Sequence, residues 1–228
     1  MTDTALVTGA GRGIGREVAR QLAAAGMHVV AAARTPAAAE EVAREVGGTP
    51  LVLDVTDPAS VEAAATAVTD LDVLVNNAAA YPDWQADAIT ADLDDVEVAW
   101  RTNVLGPWRL ARAFAPALAR SAHPRIVNVT SGSGSHGDEQ FGLGAGPGMA
   151  PYAVTKAAAN ALTRKLAAAL PGVRVNAVDP GLTATAPGME AMGARPVPEG
   201  AASVVWAATL GPDGPTGGFF RDGSPHPW

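Results

Sequence analysis

In Ala5-Leu6-Val7-Thr8-Gly9-Ala10-Gly11-Arg12-Gly13-Ile14-Gly15 a short apolar run passes straight into a turn with glycine at every second position. Residues 16–25 then place Val18, Ala19, Leu22 and Ala23 on one helical face, and Gly26 ends the helix. The pattern predicts strand, glycine-rich turn, helix. Such a turn offers backbone N–H groups and a helix N-terminus to a phosphate, because no side chain holds the ligand away. The usual dinucleotide spacing G-x-G-x-x-G is not matched. Gly9, Gly13 and Gly15 follow G-x-x-x-G-x-G, with Gly11 extra. Thr8, Gly9, Gly11, Arg12, Gly13, Ile14 and Gly15 are the first cofactor-binding candidates.

Working outward, His28–Ala33 reads as a second strand. A dinucleotide fold would place an acidic residue at its end to hold the adenosine ribose 2′-hydroxyl. Here Arg34 follows instead, and Arg12 lies in the glycine turn. Two arginines and no carboxylate suit a 2′-phosphate, so NADPH is favoured over NADH.

The alternation continues along the chain. A helix over 37–46 ends at Gly47-Gly48, and Leu51 to Asp54 forms a third strand. Asp57 is a good N-cap, with Pro58 at the first helical position. Strands follow at 72–77, 125–131 and 173–178, with a short last one at 217–220 and a tail over 221–228. One helix is expected from about 91 to 120, bent at Gly106-Pro107, and another over 198–210. Strands alternating with helices predict a single α/β domain of Rossmann type. It is a doubly wound parallel sheet of about seven strands with helices on both faces. Residues 1–130 would form mainly the cofactor half and 131–228 the catalytic half. Ligands in such sheets sit beyond the carboxyl ends of the strands. Thr8, Gly9, Arg34, Asp54, Asn76 and Asn77 lie at such ends.

Tyr152 and Lys156 are four residues apart in the helix expected over 150–170, and so share a face. A nearby ammonium favours a phenolate and lowers its pKa, so the pair could pass a proton to or from a carbonyl or alcohol oxygen. Alone, this spacing is common on helices without any catalytic meaning. His136 lies in a glycine- and serine-rich loop over 132–149, where histidines are usually solvated. A metal site from His136, Asp138 and Glu139 is not expected.

The 228 residues are 48% hydrophobic and carry a formal net charge of -7, with no basic cluster, which argues against nucleic acid as a partner. Cysteine is absent, which excludes disulfides and thiolate chemistry. The N-terminus shows no signal-peptide pattern and no apolar run suits a bilayer, so a cytoplasmic protein without membrane contact is expected.

Read together, these parts resemble the short-chain dehydrogenase/reductase family in its non-extended form. The motifs that match, in order, are Thr8-Gly9…Gly13…Gly15, Asp54-Val55, Asn76-Asn77-Ala78-Ala79, Asn103, Ser131, Tyr152…Lys156, Asn176 and Pro180-Gly181…Thr185. The ending, from Gly214-Pro215-Thr216-Gly217 to Pro227-Trp228, is similar to carbonyl reductases of this family and their bacterial relatives. The resemblance implies that Tyr152 is the general acid in reduction and the base in oxidation. It implies that Lys156 lowers the pKa of Tyr152 and holds the nicotinamide ribose, that Ser131 bonds the substrate oxygen, and that Asn103 supports a water linked to Lys156. Asp54 and Val55 would flank the adenine, and Asn76 and Ala78 would line the cofactor. Thr183, Thr185 and the backbone at Pro180 and Gly181 would hold the carboxamide.

Ala79 replaces the glycine commonly found in the fourth-strand motif. The gap from Ser131 to Tyr152 is wider than in most members, which keeps Ser133 as a second candidate for the serine role. The resemblance implies a small-molecule carbonyl or alcohol substrate, in a monomer or a homo-oligomer. Alternatives are an alcohol dehydrogenase working oxidatively, and a non-redox protein of this fold such as a cyclase-like enzyme or a nucleotide-sensing regulator.

Overall fold

The computed structural model describes residues 2–228. Eight strands form one sheet: β1 (Thr4–Thr8), β2 (His28–Ala33), β3 (Thr49–Val52), β4 (Val73–Asn76), β5 (Arg125–Val129), β6 (Arg174–Val178), β7 (Phe219–Arg221) and β8 (Ser224–Pro225). Their order is β3-β2-β1-β4-β5-β6-β7-β8. Seven are parallel, and β8 adds an antiparallel edge to β7. The winding reverses between β1 and β4, which opens a crevice above their carboxyl ends.

The helices are α1 (Gly13–Ala24), α2 (Pro36–Val46), α3 (Pro58–Ala67), α4 (Leu93–Trp100), α5 (Gly106–Leu118), α6 (Ala150–Ala169) and α7 (Val197–Ala208). Strand periodicity of two sorts the core into two layers. Leu6, Leu74, Ile126 and Val175 face α3, α5 and α6, where Val61, Phe114 and Leu162 meet them. Ala5, Val7, Val73, Val75 and Val127 face α1, α2 and α7, where Val18, Leu22, Val42 and Val204 pack. Each fully buried side chain of this size stabilises the fold by about 1.5–3 kcal/mol. Asp57 caps α3 as expected, accepting from the N–H groups of Ala59 (3.0 Å) and Ser60 (3.3 Å). Asp57→Ala should cost about 1 kcal/mol of stability, read as a lower urea midpoint at unchanged m-value.

Three boundaries differ from the sequence expectation. β3 runs Thr49–Val52 rather than 51–54, because pairing of Val30 with Thr49 and of Ala33 with Val52 sets its register. The helix expected from 91 to 120 is broken earlier than Gly106-Pro107, by a π-helical turn over Arg101–Leu105. The segment after β7 is not a free tail: it forms β8, and the Trp228 carbonyl accepts from the N–H groups of His136 (2.7 Å) and Gly137 (3.0 Å). Among the described residues, no helix is long and apolar enough to cross a membrane.

Candidate active site

The crevice is built first by the turn between β1 and α1. Gly9 has φ +65°, and a Cβ there would sit 2.9 Å from the Ala78 Cα. A Cβ on Gly15 would lie 2.4 Å from Asn77 Nδ2 and 2.5 Å from the Gly9 carbonyl. Only glycine lets β1, β4 and α1 meet this closely. The buried Thr8 hydroxyl ties them further, donating to the Val75 carbonyl and accepting from the N–H groups of Asn77 (3.0 Å) and Ala78 (3.1 Å). Asn77 completes the turn by donating to the carbonyls of Thr8 (2.9 Å) and Gly9 (3.3 Å). Gly11, Arg12, Gly13 and Ile14 stay partly or fully exposed at the crevice mouth.

Arg12 and Arg34 are both exposed, and among the described residues neither has a carboxylate within ion-pair distance. The Asp54 carboxylate is occupied by its own turn, accepting from the Thr56 N–H (2.8 Å) and hydroxyl (2.7 Å). Those bonds, with the charge of Arg34 added, hold it below the usual carboxylate range. Val55 is buried and packs against Gly106. Asn76 turns its side chain inward and donates to Asn128 Oδ1 (2.8 Å).

The opposite wall carries the Tyr–Lys pair. α6 starts after Met149, held at φ 60° with its N–H on the Trp84 carbonyl (3.1 Å). Both Tyr152 and Lys156 are buried. Lys156 Nζ donates to the Val129 carbonyl (2.9 Å) and lies 5.4 Å from the centroid of the Tyr152 ring. Burial pulls the Lys156 pKa down to about 8, against the pull of the Asp179 carboxylate. Burial also pushes the Tyr152 phenol well above its usual pKa; Tyr81 and Asp179 push the same way, and hydrogen bonding from Ser131 opposes them. This corrects the expectation of a lowered phenol pKa. Desolvation is the largest of these effects.

Ser131 caps the short 3₁₀ turn Gly132–Gly134. Its hydroxyl lies 3.2 Å from that of Ser133 and accepts from the Ser133 N–H. The two serine candidates therefore form one hydroxyl pair, with Ser133 the more buried. Gly134 lets this turn rest on α6, since a Cβ there would meet Lys156 C and Ala157 N at 2.5 Å. Asn103 sits in the π-helical turn. Its Oδ1 accepts from the Ala80 N–H (2.8 Å), and its Nδ2 donates to the Ala80 carbonyl and to Thr155 Oγ1 (both 3.0 Å). A π turn adds a residue to the helical round and re-aims a side chain.

The loop after β6 closes the crevice. Arg195 Nε donates to the Pro180 carbonyl (2.7 Å), and the buried Thr183 hydroxyl donates within its own turn to Pro180 and Gly181. The exposed Thr185 reaches across to Gly13, where a Cβ would stand 3.4 Å from Thr185 Cγ2.

Sequence reasoning missed a buried ionic cluster behind Ser131. Arg221 on β7 donates to Asp179 (Nε, 2.8 Å) and to Asp138 (Nη2, 3.0 Å), and His226 Nε2 lies 3.1 Å from Asp138 Oδ2. Gly132 fits directly against it: a Cβ there would meet Asp138 Oδ2 at 2.6 Å and Arg221 Nη2 at 2.8 Å. Asp138, Asp179 and His226 offer three close ligand atoms, but Arg221 is already paired with both carboxylates. His136 lies apart from them, exposed on the loop.

A glycine cradle at the point where the winding reverses marks the Rossmann class of nucleotide-binding proteins. Within that class the chain belongs to the short chain dehydrogenase family, whose model matches residues 3–194. It is 35% identical over 193 residues to the 3-oxoacyl-(acyl-carrier-protein) reductase FabG of Escherichia coli (strain K12), covering 79% of this chain and 73% of that protein. It is 45% identical over 183 residues to an uncharacterized oxidoreductase of Mycobacterium tuberculosis, covering 79% and 69%. The NADPH-bound carbonyl reductase from chicken fatty liver superposes with a TM-score of 0.85 at 28% identity, over 100% of this chain and 99% of that one. The family makes the chain an NAD(P)-dependent oxidoreductase.

Proposed function

We propose that the chain reduces a ketone or aldehyde to an alcohol, with NADPH as its cofactor and Tyr152 as the proton donor. The observation that carries this reading is the burial of Tyr152 with Lys156 Nζ 5.4 Å from its ring, next to the Ser131 turn at the carboxyl edge of the sheet. A phenol with an ammonium beside it can give a proton to a carbonyl oxygen and have the charge left behind stabilised. The Escherichia coli 3-oxoacyl-(acyl-carrier-protein) reductase and the chicken carbonyl reductase, to which the chain is similar, support the same direction.

The glycine cradle fits a pyrophosphate, and the two unpaired arginines fit a 2′-phosphate. Lys156 would hold the nicotinamide ribose, while Thr185 and the backbone at Pro180 and Gly181 would hold the carboxamide. The cofactor supplies the hydride when bound. Ser131 holds the substrate oxygen by a hydrogen bond. Tyr152 gives its proton to that oxygen as negative charge develops there. Lys156 stabilises the phenolate left behind, and Asn103 would support a water linked to Lys156 through which the proton is replaced.

Carbonyl-dependent oxidation of NADPH across a panel of ketones and aldehydes tests the reaction. Fluorescence titration tests the cofactor. NADPH should bind at least about tenfold more tightly than NADH, given about 1.5–3 kcal/mol for a hydrogen bond to a charged group. Arg12→Ala and Arg34→Ala should each erode that ratio, and equal affinities in the unmodified chain would defeat the 2′-phosphate reading.

A further inference from the structure

Tyr152 does not stand alone. Its ring stacks on Tyr81 (centroids 5.3 Å apart, planes at 21°), and Tyr81 stacks on Trp84 (5.6 Å, 26°). Trp84 also reaches Tyr152 at 5.5 Å, closing a triangle of rings. Tyr81 and Trp84 nevertheless keep 54% and 50% of their surface exposed. Aromatic faces left open beside a reactive hydroxyl are surface for a ligand to cover.

The backbone holds this wall in place. Asn103 grips Ala80 at both its N–H and its carbonyl, which aims the next residue, Tyr81. The carbonyls of Trp84 and Ala86 accept from the N–H groups of Met149 and Ala150 (both 3.1 Å), at the entry to the helix that carries Tyr152. The wall and the phenol are thus referenced to the same helix end. Asp83, between the two rings in sequence, turns its carboxylate back to the Gln85 N–H (2.9 Å). The exposed surface here is therefore aromatic rather than charged.

We propose that Tyr81 and Trp84 determine substrate specificity, selecting carbonyls conjugated to a flat ring, such as aryl ketones and aryl aldehydes. This rests on the reading of Tyr152 as the proton donor. A carbonyl oxygen bonded to the phenol sets its substituent within a ring's width of Tyr81. A planar substituent lies along the existing stack, whereas a puckered saturated ring of the same size does not. Offset stacking adds to plain area burial, so two such faces are worth about tenfold in selectivity.

The test compares acetophenone with cyclohexyl methyl ketone by kcat/KM, with NADPH present. The unmodified chain should favour the aryl ketone about tenfold. Tyr81→Leu and Trp84→Leu should each bring the ratio toward one, and Tyr81→Phe, which keeps the ring, should retain it. A ratio that is near one in the unmodified chain, or unmoved in both leucine variants, overturns the proposal. Saturation-transfer NMR on the same two ketones reads binding without turnover. Ring-selective binding with no turnover would support the aromatic wall and overturn the reductase reading. Turnover without ring preference would do the reverse.

Discussion

Tyr152→Phe is expected to lower carbonyl-dependent NADPH oxidation by about 10²- to 10⁴-fold. The substitution keeps the ring that stacks on Tyr81 and touches Trp84, so the aromatic triangle stays whole. Only the hydroxyl is lost, and with it the proton that the developing alkoxide takes. Rates should be compared at saturating cofactor, with thermal melting run in parallel to show that the fold is intact. Activity within about tenfold of the unmodified chain would sink the assignment of Tyr152 as proton donor. A large loss with an unchanged melting temperature would support it.

The second large effect belongs to the ionic cluster. Arg221→Leu should destabilise the fold by about 3 kcal/mol near neutral pH, because it strands the buried carboxylates of Asp138 and Asp179 without their shared cation. The sign with pH follows from Asp138. Burial pushes its pKa up, but the N–H groups of Phe141 and Gln140, together with Arg221, outweigh burial and hold it below the usual value. A depressed carboxylate contributes stability above its unfolded pKa of about 3.9 and loses it as pH falls through the folded value. Without Arg221 that contribution shrinks or reverses. The stability gap between the two proteins should therefore be widest near pH 7 and close as pH drops below about 4. Urea unfolding at a series of pH values measures it. A gap that is constant with pH would mean that Arg221 acts through packing alone. Activity should fall as well, since Gly132, next to Ser131, rests on this cluster.

Much of this architecture is legible in the sequence, for local reasons. The glycine turn, the caps and the alternation of strand and helix are short-range patterns, and they predict the doubly wound sheet. The two-residue β8 is too short to carry a pattern of its own. The break at Arg101–Leu105 is not signalled by Gly106-Pro107; it goes with the bonds of Asn103 to Ala80, a partner 23 residues away. Asn76 and Asn77 are chemically identical neighbours. Strand geometry sends one inward to Asn128 and the other to the glycine turn, and no reading of residue type separates them. The ionic cluster is hidden for the same reason. Asp138 and Arg221 are 83 positions apart, and only the sheet order brings them together. The packing of the Tyr81 and Trp84 rings on Tyr152, across about 70 positions, is hidden in the same way.

The π-helical turn has a consequence for how this chain tolerates change. An α-helix advances about 100° per residue, so one residue too many shifts the phase of everything beyond it. Here α4 and α5 are out of step by that amount, and both are seated correctly because of it. Deleting one residue between Arg101 and Leu105 would give a more regular helix and a worse protein. Either α4 would rotate away from its seat or Asn103 would swing off Ala80, and the loop bearing Tyr81 would lose its anchor. Point substitutions on the exposed side of this turn should be mild by comparison. In this segment the length of the chain is under tighter constraint than its composition.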